Sequence, residues 1–284
     1  MNTATRLGMF AAVLAIVFGG AFGVGAIAGP EPVREKEAEH GMAGDEMNGH
    51  NEGGQNEGGH NGGGPGGLAV SAEGFTFRRV AAAPGEFAFQ ILDAKAQPVT
   101  RYQISHEKRL HLVVVRRDLT GFRHVHPAMD PDGTWRIPLT LAEAGDWRAF
   151  ADFLPEGRDR QVILGLDVPV AGDYRPQPLP PPTTISTVDD YRVTVDGHLT
   201  AGRTSRLTLT VTKNNATVTD LQPYLGALGH LVALRDGDLG YLHVHPQSGT
   251  TFDVEVPTAG SYRLFLDFRH GDVVRTASFT VVAT

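Results

Sequence analysis

The chain has 284 residues, 41% of them hydrophobic and 20% charged, with a formal net charge of −7. No lysine- or arginine-rich block interrupts this acidic balance, which excludes an electrostatic footprint for nucleic acid. There are no cysteines, which excludes disulfides, thiolate metal sites, cysteine nucleophiles and a lipidated N-terminal cysteine.

After Met1–Arg6, an uncharged run from Leu7 to Ala28 is long enough to cross a hydrocarbon core as a helix. Ala26-Ile27-Ala28 ahead of Gly29-Pro30 also offers a small-residue cleavage site. Residues 1–30 therefore read as a transmembrane anchor or a signal peptide. Either reading exports the remainder, as extracytoplasmic domains of a single-pass cell-membrane protein or as a secreted protein. Residues 31–67 are dominated by Gly, Asn, Glu and His, with almost no apolar side chains, and read as a disordered linker. The linker carries His40, Met42, Met47, His50 and His60, which suit either a solvated spacer or a weak metal-catching tether.

From Leu68 the pattern changes to short runs rich in Val, Thr, Phe and Leu, broken by Gly, Asp and Pro. Strand-like segments fall at Phe75–Val80, Glu86–Leu92, Leu110–Arg116, Thr134–Leu141, Asp146–Phe153 and Gln161–Val168. The proline-rich stretch Arg175–Pro182 reads as a stiff spacer. Strand-like runs resume at Tyr191–Val195, Arg206–Thr212, Leu231–Arg235, Thr251–Val256, Ser261–Phe268 and Val273–Val282. Many short strands with frequent turn residues predict an all-β fold. The expected organisation is two tandem Ig-like β-sandwich domains, residues 68–171 and 185–284, joined by a linker over 172–184.

The second set repeats the first. His111-Leu112-Val113-Val114-Val115-Arg116 matches His230-Leu231-Val232-Ala233-Leu234-Arg235. Gly121-Phe122-Arg123-His124-Val125-His126-Pro127 matches Gly240-Tyr241-Leu242-His243-Val244-His245-Pro246, at the same offset of 119. Gly145–Phe153 matches Gly260–Phe268 at an offset of 115, so the intervening loop is four residues shorter in copy two. A match of this length is a duplicated domain.

Six of the twelve histidines are paired by this duplication. Side chains two apart on a strand share a face, so His124 with His126, and His243 with His245, form ready-made imidazole pairs. His111 and His230 open the preceding strand, and the short connection predicts hairpin neighbours and a third imidazole in each copy. Such a set suits copper or zinc. Asp152 and Asp267 are candidate carboxylate ligands, because Trp147, Ala149, Ala151 and Phe153 occupy the opposite face of their strand. They are equally suited to pairing with Arg148 and Arg263, or to orienting a histidine. The competing reading is a structural hydrogen-bonded cluster. A cupin-like H-x-H-x3-carboxylate spacing ending at Asp130 has no acid in copy two, and nothing else supports a facial-triad oxygenase. His106 is placed to approach the first site but has no counterpart in copy two, while His198 and His270 sit in turns and read as solvated.

The phrases His111–Arg116, Gly121–Pro127, Tyr224–His230 and Tyr241–Pro246 resemble a family of exported or membrane-anchored bacterial proteins common in actinobacteria. Its members are sometimes labelled heavy-metal-binding or found beside copper-handling genes. The resemblance covers roughly residues 70–284. Together these readings predict a non-enzymatic, extracytoplasmic binding protein that sequesters or hands on copper or zinc. It would hold two ions, one per domain, through His111, His124, His126 and Asp152, and through His230, His243, His245 and Asp267. Its other expected partners are the membrane, through the N-terminal helix, and a membrane metal transporter. The alternative is a tandem Ig-like interaction or structural module whose histidines bond only to one another.

Overall fold

The computed structural model describes residues 65–284, which belong to one compact unit, His60–Thr284. The N-terminal apolar run and nearly all of the His-bearing linker lie outside the described residues. Among the described residues no helix is long and apolar enough to cross a membrane.

The first copy forms β1 (Ser71–Ala72), β2 (Phe75–Arg79), β3 (Glu86–Leu92), β4 (Tyr102–Gln103), β5 (Leu110–Arg116), β6 (Arg123–Val125), β7 (Ala128–Met129), β8 (Thr134–Pro138), β9 (Gly145–Pro155) and β10 (Val162–Val170). The second forms β11 (Ile185–Val188), β12 (Tyr191–Asp196), β13 (Arg203–Lys213), β14 (Ala216–Thr217), β15 (His230–Arg235), β16 (Val244–Pro246), β17 (Thr251–Val256), β18 (Gly260–His270) and β19 (Val273–Ala283). In copy one, β1-β2-β3-β8-β7 packs on β10-β9-β5-β6; in copy two, β11-β12-β13-β17-β16 packs on β15-β18-β19. Each pair of sheets has the strand order of an immunoglobulin-like sandwich. The expected fold class is the observed one.

Period-two patterning builds each core. In β13 Ser205, Leu207, Leu209 and Val211 are buried while Arg206 and Thr208 face solvent. The first core gathers Phe77, Phe89, Leu112, Trp135, Trp147 and Phe153 from both sheets, and the second gathers Tyr191, Leu209, Val254, Leu264, Phe268 and Phe279. Strand β5 departs from alternation, with all seven residues buried. A strand reads as continuously apolar when both its faces are covered. Here the second cover is the other module: Val113, Val115, Phe150 and Ile163 pack against Val232, Leu234, Tyr241 and Phe265 in a third apolar cluster. Phe122 stacks on Phe265 at 4.0 Å between ring centroids, with 6° between the planes.

The described end of the first segment read as a linker, Pro65–Gly67, and the proline-rich stretch are docked onto this boundary. Gly66 exchanges two backbone hydrogen bonds with Tyr241 of module two (2.9 and 3.0 Å), and the Gly67 N–H donates to Ile163 of module one (2.9 Å). The Arg148 guanidinium donates to the Gly67 carbonyl (3.0 and 2.6 Å) and to the Leu68 carbonyl (2.8 Å). Structure therefore begins before Leu68, with a short strap that touches both modules. The proline-rich stretch is likewise not a free spacer. The Gln177 N–H donates to Asp118 (2.8 Å), and Leu179 packs on the apolar boundary.

Gly67 has φ +72°, and a side chain there would run into the Phe150 ring. Gly67→Ala is expected to destabilise the folded protein by about 1–3 kcal/mol, combining left-handed strain with overpacking. Urea unfolding measures this loss, and an unchanged midpoint would show that the strap contributes nothing.

Candidate metal centre

The site is assembled at the module boundary. Strand β6 pairs with β5 so that His124 lies opposite Val113, placing its ring on the face that meets module two. Ahead of β5, Ser105–Lys108 makes a two-residue hairpin: His106 and Glu107 have φ 47° and 63°, and Ser105 and Lys108 exchange backbone bonds at 2.8 and 3.0 Å. Positive φ at both central residues defines the type I′ turn that matches strand twist. Leu225 and Gly226 repeat that turn in module two, at φ 56° and 78°. The two turns face each other, since a Cβ on Gly226 would lie 3.8 Å from Glu107 Cγ.

Five imidazoles come together here. His111 Nδ1 lies 3.1 Å from His124 Nε2 and 3.1 Å from His126 Nε2. His230 of module two stacks on His111 at 5.3 Å and 13°, and its ring centroid is 5.0 Å from that of His124. His106 meets His230 edge-on at 5.0 Å. Nitrogens of His111, His124 and His230 all lie within 4.8 Å of one another. Two nitrogens on one tetrahedral zinc, at about 2.0–2.1 Å each, are separated by about 3.3 Å. The observed spacings are close to those of a ligand set.

Outer hydrogen bonds fix which way the rings point their protons. The Ser105 carbonyl can only accept, so His111 Nε2–H donates to it (3.0 Å). The Asp267 carboxylate accepts from His124 Nδ1–H (2.9 Å) and from the Thr276 hydroxyl (2.6 Å). This leaves His111 Nδ1 as the acceptor facing both His124 Nε2 and His126 Nε2 at 3.1 Å, the inward nitrogen that a cation would take. Asp267–His124 has the carboxylate–imidazole arrangement that orients metal ligands, and it crosses from one module to the other.

Burial favours the neutral form of His111, His126 and His230. Desolvation, reinforced by His124, lowers His111 to about 4 and His126 to about 3. The same causes hold His230 well below the ordinary histidine range. Neutral imidazole is the ligating form.

The expected second trio is not gathered in the same way. The Leu242 N–H still donates to Ala233 of β15 (3.0 Å), but beyond it the chain crosses to the other sheet. There Val244–Pro246 pairs with β17, His245 opposite Asp253, and His245 Nε2 lies 3.4 Å from an exposed Glu255 carboxylate. Strand β16 thus fills the sheet edge beside β17 that β7 fills beside β8 in copy one. The shorter loop of copy two leaves no separate segment for that edge, so the His-x-His phrase itself is drawn there and away from His230.

The two aspartates differ accordingly. Each lies opposite the leading histidine of its module, Asp152 opposite His111 and Asp267 opposite His230. Asp267 is bonded on both oxygens, whereas Asp152 Oδ1 is buried with no hydrogen-bond partner among the described residues. Neither arginine pairing is formed. Arg148 is held by Asp167 (2.6 Å) and the strap, and Arg263 donates to the Thr280 and Ser278 hydroxyls. His106 does approach the first site, beside His111 and His230, and one further reading changes. His270, read as solvated, accepts from the Tyr191 hydroxyl (2.7 Å) and donates to Asp220 (3.2 Å).

Burial pushes the Asp152 carboxyl up to about 7. Both folded and unfolded chains are protonated below about pH 4, so the group is neutral for stability there. Between about pH 4 and 7 the unfolded chain ionises while the folded one resists, so stability falls, by up to about 4 kcal/mol above pH 7. Asp152→Asn should therefore raise the melting temperature by several degrees at pH 8 and change it little at pH 3.5. Thermal scans at the two pH values decide it, and equal effects at both would contradict an unpartnered carboxyl.

Fold and site together define a class: tandem immunoglobulin-like modules that gather imidazoles where they meet. The chain belongs to the family described as Domain of unknown function (DUF8832), whose model matches it at residues 68–170 and again at 186–284. No curated protein matches it. Among solved structures it is similar to the FN1–FN3 domains of chicken CNTN1 (9% identity over 77% of this chain and 69% of that one, TM-score 0.21). A putative membrane anchored protein from Corynebacterium diphtheriae (10% identity, 74% and 57%, TM-score 0.23) is also similar. So is invasin, a bacterial integrin-binding protein (15%, 77% and 38%, TM-score 0.19). The chain spans 57% and 38% of the latter two. At these TM-scores the likenesses carry no argument, and the fold rests on strand order.

Proposed function

We propose that the protein is an extracytoplasmic metal-binding protein that sequesters or hands on zinc or copper at the boundary of its two modules. His111, His124 and His126 of module one hold the ion, with His230 of module two as a fourth imidazole and Asp267 steering His124. The observation that carries this reading is the convergence of His111, His124 and His230 nitrogens within 4.8 Å of one another, with His111 and His124 bonded outward to Ser105 and Asp267. An all-nitrogen set without thiolate suits zinc or copper(II). The apolar run Leu7–Ala28 supports placement at the outer face of a membrane, where a membrane transporter is a fitting partner.

The test is metal content and calorimetry on protein isolated without chelator or nickel resin. Tight binding of at least one zinc or copper is expected. If the imidazoles were only a hydrogen-bonded cluster, no tight ion would bind, and replacing His124 and His126 by Gln would lower stability with or without metal. Because the lowered pKa values of His111 and His126 precede binding, zinc should stay bound well below pH 6.5 and leave only toward about pH 4. Loss already at pH 6 in a zinc titration would show that the folded rings titrate as free histidine does.

A further inference from the structure

Copy two keeps the leading histidine, the His-x-His phrase and the facing aspartate of the copy-one site, without a counterpart of His106, and it holds the His-x-His phrase in another place. In copy one, Leu112 faces Val125 and Val113 faces His124. In copy two the same alignment has begun: Leu234 bridges Tyr241, and the Leu242 N–H bonds Ala233. Continued by two residues, that register places His243 opposite Val232 and Val244 opposite Leu231, the equivalents of His124 on Val113 and Val125 on Leu112. Val232 lies on the boundary face, so His243 would enter the boundary as His124 does.

What waits there is Asp152, the counterpart of Asp267, with a buried oxygen and no partner. Asp267 receives His124 from the opposite module; Asp152 has the matching place for His243. The segment that would move is lightly held. It makes three register pairs at a sheet edge, Val244 is a partly buried residue at the margin of the second core, and His245 lies 3.4 Å from an exposed carboxylate. The move is within reach, because Pro246–Thr250 would still link His245 to β17. A linker of that length spans up to about 20 Å, against about 10 Å between packed sheets.

We propose that Val244–Pro246 switches from β17 to β15 and builds a second divalent-metal site from His230, His243 and His245, with Asp152 orienting His243. The choice of zinc or copper rests on the reading of the first site. In the two-ion state His111, His124 and His126 keep the first ion and His230 turns to the second. The exchange gives up pairing with one sheet for pairing with another, so binding of the ion supplies the bias between two arrangements of similar hydrogen-bond count.

The experiment is zinc calorimetry on the full chain as wild type, as Asp152→Asn, as the double variant His243→Gln/His245→Gln and as His124→Gln, with hydrogen exchange read at Glu255. The Glu255 N–H now donates to the His243 carbonyl (3.0 Å), a bond that the switch breaks. Linker histidines are common to all four proteins and cancel. Wild type is expected to bind one more tight zinc than the double variant, Asp152→Asn to weaken that ion at least tenfold, and zinc to speed exchange at Glu255. Asp152→Asn removes an unpartnered carboxyl, so it keeps the test readable if the double variant folds poorly. One tight zinc in wild type, lost in His124→Gln but untouched by the double variant, with Glu255 protection unchanged, overturns the switch and leaves the first site standing. No tight zinc in any protein overturns both.

Discussion

Replacing His124 with Gln should lower zinc or copper affinity by about 100-fold or more. Its Nε2 lies 3.1 Å from His111 Nδ1, and among the described residues no other ring in the cluster is hydrogen-bonded to a carboxylate. Asp267→Asn should cost about 10–100-fold, the usual range for removing the partner of a ligating imidazole. Asp267 touches no ion in this arrangement; it holds the His124 proton on Nδ1. An Asn there can present its NH2 instead of an acceptor, which would turn the ring or its tautomer. The two substitutions also act from opposite modules on one ring, so their effects should not add. Calorimetric titration of both singles and the double measures this. Additive losses would mean that Asp267 acts elsewhere than through His124.

The second large effect is expected far from any nitrogen. Phe265 lies in the apolar boundary, stacked on Phe122, two residues before Asp267 on the same strand face. Phe265→Ala should cost about 3–5 kcal/mol of stability, the range for emptying a buried aromatic. It should also weaken zinc at least tenfold in the protein that remains folded, because the wall carrying Asp267 and His230 loses its fixed distance from His111 and His124. Phe87→Ala, buried in the core of module one, is the control. It should cost comparable stability yet leave zinc affinity within about twofold, as expected for distant sites. Equal effects of the two on zinc would show that the boundary does not position the site.

Much of the fold was legible in the sequence because period-two patterning is local. The run Arg206–Thr212 alternates as a strand covered on one side must, and strand β13 contains it. The duplication made the second set of strands legible from the first, apart from the His-x-His strand, which joins the other sheet in module two. The cluster around His111 was legible in part, since His-x-His beside a strand led by His needs only hairpin geometry.

How the modules meet was not legible. A boundary between domains leaves no period, and its one trace was read too locally. Val113, Val115 and Phe150 make the outward face of β5 and β9 apolar, as Val232, Leu234 and Phe265 do for β15 and β18. A sandwich face that apolar needs a cover, and among the described residues the cover is the other copy. That pairing brings His230 onto His111 and Asp267 onto His124. The four-residue deletion was visible too, but its consequence depends on which sheet edge would otherwise stand empty. Only the placed strands show that β16 fills it.

X-ray absorption at the zinc edge, on wild type and on His230→Gln, asks most directly whether imidazoles from both modules meet one ion. With one equivalent of zinc loaded, the site should show three to four nitrogen neighbours at about 2.0–2.1 Å with imidazole outer-shell scattering. His230→Gln should remove one imidazole from that shell. A spectrum dominated by oxygen neighbours, or one that loses nothing when His230 is replaced, would contradict an ion held between the two modules.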